Sequence, residues 1–146
     1  MGTKNNNALF FTCSVIEFIG RKMKRTRQDV TDCLGRNQIA RIYEYADVFH
    51  CEPMEKVASE LIEECRIQQG TFDNAANCRY TVPDYWDIGE VYERLIEDIF
   101  PDEQIVDGIW EVYHSWIDAC ISDFNTDFYY QSREYIAECY RAGEIL

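Results

Sequence analysis

Two histidines and seven cysteines are the side chains in this sequence best suited to metal binding or nucleophilic chemistry. Glu111-x-x-His114 has the spacing by which di-iron carboxylate bundles present two ligands from one helix, and Asp47-x-x-His50 repeats it in weaker form. Such ligands must face the bundle interior. At about 100° per residue, Glu111 lies about 160° from the centre of its helix's apolar arc, and His114 about 100°. His50 falls on an inward face, but Asp47 does not. These positions read as surface and boundary residues, so no metal ligand and no cofactor is assigned. Cys51 follows His50 directly, the two groups a thiolate–imidazole nucleophile needs. Adjacent helical residues, however, point about 100° apart. Cys13, Cys65 and Cys120 fall on apolar stripes, where a small buried thiol is the ordinary reading. There is no glycine-rich phosphate loop and no nucleophile elbow. No catalytic residue is assigned. The expectation is a protein that is not an enzyme, with a helical enzyme lacking any linear motif as an alternative.

Acidic residues carry the stronger signal. Residues 84–127 hold thirteen Asp and Glu against one base, Arg94. On the helix expected from residue 84, Asp87, Glu90, Glu93, Glu97 and Asp98 occupy about 180°–320° of the helical wheel, with Asp84 at its start. Like charges three or four residues apart cost a few tenths of a kcal/mol per pair. A partner with a basic surface, steered and matched by these six residues, is the expected reason for keeping them. A solvated face that aids solubility is the plainer alternative. The run Asp127-Phe128-Tyr129-Tyr130 falls between helices, where aromatics serve as interface anchors or pack beneath the last helix.

The whole chain of 146 residues has 14 basic and 27 acidic side chains, a net charge of −13. Phosphate contacts need Lys and Arg in excess, so a general nucleic-acid binder is disfavoured. Five bases are crowded into one stretch: Arg21, Lys22, Lys24, Arg25 and Arg27. The helices on either side of Gly35 superficially resemble a helix-turn-helix. Its only readers would be Arg36, Gln38 and Arg41, among Asp29, Asp32, Glu44 and Asp47. A second functional class is an acidic DNA mimic that inhibits a nuclease, phage-type and anti-CRISPR-like. Duplex DNA carries one charge per about 1.7 Å of axis. One helix with acids every three or four residues offers one per about 5 Å, so carboxylates from two helices would be needed.

The elements that must position these groups are helical. Apolar residues of 9–21 (Leu9, Phe10, Phe11, Cys13, Val15, Ile16, Phe18, Ile19) surround their helix, broken by Thr12, Ser14 and Glu17. Exposing two Phe side chains forgoes several kcal/mol at about 25 cal/mol per Å². The helix is therefore expected at the centre of the monomer, with a homo-oligomer contact as the alternative. Thr26 with Asp29 forms a capping box and Gly35 ends a short helix. A third helix carries Ile39, Ile42, Tyr43, Ala46, Phe49 and His50. Pro53 opens a fourth. Residues 68–83, with Gly70, Asn74, Asn77 and Pro83, form a loop that could join two lobes of a single domain spanning 1–146. Further helices start at Asp84, at Asp102 (long, to about 124, and placed centrally) and at Ser132. The sum is an all-α compact bundle of about seven helices with a long central helix and almost no strand. Size alone permits a core, since a chain of this length buries about 69% of its unfolded surface.

The cysteines stand singly and in odd number, which fits the reduced thiols of a cytosol. The apolar run at 8–20 contains Glu17, lacks a small-x-small cleavage site and is too short to span a bilayer. A cytoplasmic protein that does not enter the membrane is expected.

Three stretches resemble a known group when taken together: Asn7-Ala8-Leu9-Phe10-Phe11-Thr12-Cys13, Ala46-Asp47-Val48-Phe49-His50-Cys51-Glu52-Pro53, and Tyr80-Thr81-Val82-Pro83-Asp84-Tyr85-Trp86-Asp87-Ile88-Gly89. They are similar to uncharacterised small helical proteins of gut Clostridia and related Firmicutes, most clearly over residues 7–65. Similar proteins are encoded near suspected ADP-ribosyltransferase toxins, so the resemblance implies an accessory or antitoxin role. It carries no catalytic residue with it.

Overall fold

The structure, a computed structural model, describes residues 7–146; Asn5 and Asn6 of the asparagine lead lie outside the described residues. Helix α1 (Asn7–Met23) runs through the centre, with Leu9, Cys13, Val15, Ile16 and Ile19 fully buried and Phe11 nearly so. It packs against α2 (Arg27–Glu44), α3 (Ala46–Phe49), α4 (Met54–Cys65) and α5 (Tyr85–Ile99). Phe18 meets Tyr85 edge to face at 5.0 Å. Of the residues across from Leu9 and Cys13, Phe11 and Val15 are buried within one chain and Phe18 is partly buried.

Local chemistry sets the helix limits. Thr26 Oγ1 accepts from Asp29 N–H at the start of α2, and Asp84 Oδ1 accepts from Trp86 N–H at the start of α5. Helix α2 breaks at Gly35, where φ is 77°, and ends before Tyr45. A 3-10 turn (Asp102–Gln104), α6 (Ile105–Tyr113), α7 (Ile117–Ile121), a second 3-10 turn (Phe128–Tyr130) and α8 (Arg133–Ala142) complete the fold. Ser132 Oγ caps α8. Eight α-helices and no strand occur among the described residues, an all-α bundle.

The single long helix expected from Asp102 is in fact α6 and α7, split at 114–116. Ser115 Oγ donates to Val112 O at 2.7 Å and accepts from Ile117 N–H at 3.3 Å, so its side chain substitutes for backbone partners at the break. The long helix at the centre is α1.

Two close approaches hold α1 in place. Gly89 of α5 faces Ser14 so tightly that a Cβ there would overlap Ser14 Oγ and lie 3.0 Å from its Cα. A Cβ on Gly20 would meet Arg27 Cδ at 2.5 Å, so this glycine leaves room for the Arg27 side chain. The loop between α4 and α5 docks on the α1–α2 turn, Gly70 N–H donating to Met23 O and Phe72 N–H to Lys24 O, both at 2.8 Å. Among the described residues no helix is long and apolar enough to cross a membrane.

Candidate functional site

The acidic residues of α5 do not form one free face. Asp84 is the helix cap. Asp87 is exposed, and Glu90 pairs with Arg94 at 3.3 Å. Glu97 and Asp98 turn toward Arg133 of α8, whose guanidinium meets Glu97 at 2.7 Å and both oxygens of Asp98 at 2.7 and 3.0 Å. Glu93 lies beside them and is buried. Burial, reinforced by the Glu97 charge, pushes its carboxyl up to about 7. Helical spacing could not show this compensation, because Arg133 comes from 35 residues further on.

The outward part of the stripe meets the aromatic run. Asp87, Glu90 and Val91 form one wall of a groove of about 330 Å³, and Tyr129, Tyr130 and Ile136 contribute to the other. The run divides its labour: Phe128 is buried, Tyr129 half-buried, and Tyr130 is 67% exposed. Tyr129 and Tyr130 pack edge to face at 5.0 Å and also line a second cleft with Tyr80 and Asp127. Tyr80 and Val82, from the loop before α5, are exposed as well.

The basic stretch is engaged inside the molecule. Lys22 pairs with Glu55 at 2.7 Å, Lys24 with Asp73 at 3.8 Å, and Arg25 with Asp29 at 3.7 Å. Of the supposed base readers, Arg36 pairs with Asp107 and lies over Trp110, while Arg41 pairs with Glu64 and lies over Phe49. His114 is bridged between Trp110 O at 2.7 Å and Asp32 Oδ1 at 2.6 Å.

Cys51 corrects the helical-wheel argument. Helix α3 stops at Phe49, and outside it Cys51 Sγ comes within 3.8 Å of His50 Nδ1. The same thiol donates to Asp47 O at 3.4 Å, and both residues are exposed. Among the described residues, no three His, Cys, Asp or Glu side chains gather closely enough to hold a metal.

A buried polar network under α1 escaped sequence reading. Glu17 accepts from Arg27 through Nε at 2.8 Å and Nη2 at 2.7 Å, and from Arg21 Nε at 2.9 Å. Burial would push Glu17 up; the two guanidiniums more than reverse this and hold it below the usual carboxylate range. Arg27 Nη2 also reaches Asn74 Oδ1 at 3.3 Å, and Asn74 Nδ2 donates to Ser122 O at 2.8 Å. Asp118 Oδ1 accepts from Tyr92 O–H at 2.6 Å, and Tyr92 stacks on Tyr113 at 4.2 Å. Burial pushes Asp118 up to about 6, although the Tyr92 bond and the Arg27 charge act against it. Glu17 was the one visible clue, an acid in an otherwise apolar turn.

No protein-family model, curated protein or solved structure matches the chain.

Proposed function

We propose that this chain is a cytosolic, non-enzymatic protein-binding module, an antitoxin or regulator that docks on a partner's basic surface. The observation that carries this reading is the meeting of two features in one groove. The exposed acid Asp87 and the partly exposed Glu90 stand opposite Tyr130, with Tyr80 and Val82 nearby. Aromatic anchors supply affinity at a protein interface, and carboxylates beside them select and steer a basic partner. Asp84 belongs to the same end of α5. Glu93, Glu97 and Asp98, turned toward Arg133, contribute to holding α5 against α8 instead. That division favours a protein partner over the DNA-mimic reading, which needs a dense row of outward carboxylates.

A tagged chain, used as bait in lysate of its native host at low and moderate salt, tests the proposal. The expected result is a stoichiometric protein partner held by the wild type and lost with the Tyr130→Ala, Asp87→Lys double variant. Recovery of no partner at either salt, or full retention by the variant, would overturn it.

A further inference from the structure

All seven cysteines lie in the described residues, and of them Cys51 alone is exposed. Cys13 and Cys139 are buried, and Cys139 Sγ accepts from Leu146 N–H at 3.4 Å. Burial pushes the thiols of Cys13, Cys65 and Cys120 up, which lowers their share of thiolate, the nucleophilic form. Cys33 and Cys78 are half-buried, and the Cys78 thiol is directed at Tyr80 O and Phe124 O, at 3.4 and 3.7 Å. Access therefore selects one sulfur.

The chain gives that sulfur a base. After α3 ends at Phe49, Cys51 N–H donates to Val48 O at 3.2 Å and Glu52 N–H to Phe49 O at 3.0 Å. This turn leaves the Cys51 thiol with two acceptors, Asp47 O at 3.4 Å and His50 Nδ1 at 3.8 Å. A thiol beside an imidazole can pass its proton to the ring and attack as thiolate. The charged groups around His50 are Asp47 and Glu52, the latter paired with Lys56 of α4 at 3.1 Å. From α1 and α5 come Phe10, Phe11 and Trp86, which carry no charge. With Met54 these rings line a cleft of about 300 Å³, and both chain neighbours of Cys51, His50 and Glu52, line it too. A carbon chain attached at Cys51 has that apolar space beside it. Cys51 does not pack on the hydrophobic core, so the fold makes little use of its thiol.

We propose that Cys51 is a modification site, its thiol exchanging with small-molecule disulfides to carry a mixed disulfide, with His50 as the base that takes its proton. The Cys51 proton moves to His50 Nδ1, and Sγ attacks one sulfur of the disulfide. The Cys51–sulfur bond forms as the original S–S bond breaks, and the departing thiolate collects the proton from His50. Cys51 is oxidised and the departing half of the disulfide is reduced, one modification per chain and no turnover.

The test treats the full chain with excess hydroxyethyl disulfide, quenches with acid at timed intervals and maps the modified cysteines by mass spectrometry. Cys51 is expected to react at least about tenfold faster than any other cysteine, since rate follows access and thiolate share. Near pH 7, His50→Gln should slow it several-fold; near pH 10, where hydroxide removes the proton unaided, the two rates should meet. Cys51→Ser should abolish the fast phase and keep the wild-type melting temperature. The proposal is overturned if another cysteine is modified first, or if His50→Gln reacts as fast as the wild type near pH 7. A deficit that persists unchanged near pH 10 also overturns it, because the ring would then act on access rather than on the proton. Neither the Tyr130 groove nor a partner enters this measurement, so the docking proposal and this one can fail separately.

Discussion

Glu17 and Arg27 sit ten residues apart on different helices, both withdrawn from water, and meet through two parallel N–H···O bonds of 2.8 and 2.7 Å. Taking two charges out of water is costly, and two-point geometry with further bonds from Arg21 and to Arg25 O offsets that. Removing one partner leaves the other stranded. Glu17→Gln should therefore lower stability by about 3–5 kcal/mol. Arg27→Met should do the same, and the Glu17→Gln, Arg27→Met double variant should lose less than the two single losses added together. Urea unfolding measures all three, and additive losses would contradict the coupling.

The contact of Gly89 with Ser14 predicts a purely steric effect. Gly89→Ala must push α5 off α1, since the new methyl would overlap Ser14 Oγ and lie 3.0 Å from both the backbone N and the Cα of Ser14, which cannot turn aside. The expected loss is about 1–3 kcal/mol. Combining it with Ser14→Gly should recover part of that. Thermal melts of the two variants decide the matter.

Stability should depend on pH with a definite sign. Asp118 rises from 3.8 to about 6 and Glu93 from 4.5 to about 7 on folding, so the folded state binds both protons more tightly. Their contribution is complete below pH about 4 and is lost as pH climbs to about 7. Glu17 acts oppositely: its folded value lies below 4.5, so its contribution is lost as pH falls through the acid range. The melting temperature should accordingly be higher near pH 5 than near pH 8, with Asp118 supplying about 1.4 kcal/mol of that difference. Asp118→Asn should flatten that slope. A melting temperature rising steadily from pH 5 to 8 would refute the assignment.

Arg133 neutralises the inward half of the acidic stripe. Arg133→Gln leaves Glu93, Glu97 and Asp98 facing one another and should destabilise by about 1–3 kcal/mol. Added salt should restore part of the loss, because screening weakens repulsion between partly exposed carboxylates. Denaturant midpoints with and without 0.5 M salt (about 4 Å screening length) provide the check. A loss insensitive to salt would point to packing instead.

Much of the fold was legible because its cues are local. Thr26, Asp84 and Ser132 announce helix starts, Gly35 a break, and the ring of apolar residues on α1 its central place. The split at Ser115 was hidden, because periodicity continues through 105–124 while one hydroxyl rewires the backbone. Arg27 was hidden for another reason: a base in a run of five reads as solvated, and only Gly20 hints at the space reserved for it. In the candidate site the acids and tyrosines were each visible, but their meeting depends on how α5 and α8 pack. The pairing of Arg133 with Glu97 and Asp98 likewise joins residues that no local pattern connects.

The central place of α1 also imposes an order on synthesis. This helix leaves the ribosome well before α5, against which its Ser14 edge closes. At about 5–20 residues per second, several seconds separate the two. Throughout that time Phe10 and Phe18 lack the Trp86 and Tyr85 rings that they meet in the finished molecule. A nascent chain in this state is a natural client for a chaperone that holds apolar helices, and slow translation between α1 and α5 would lengthen its exposure.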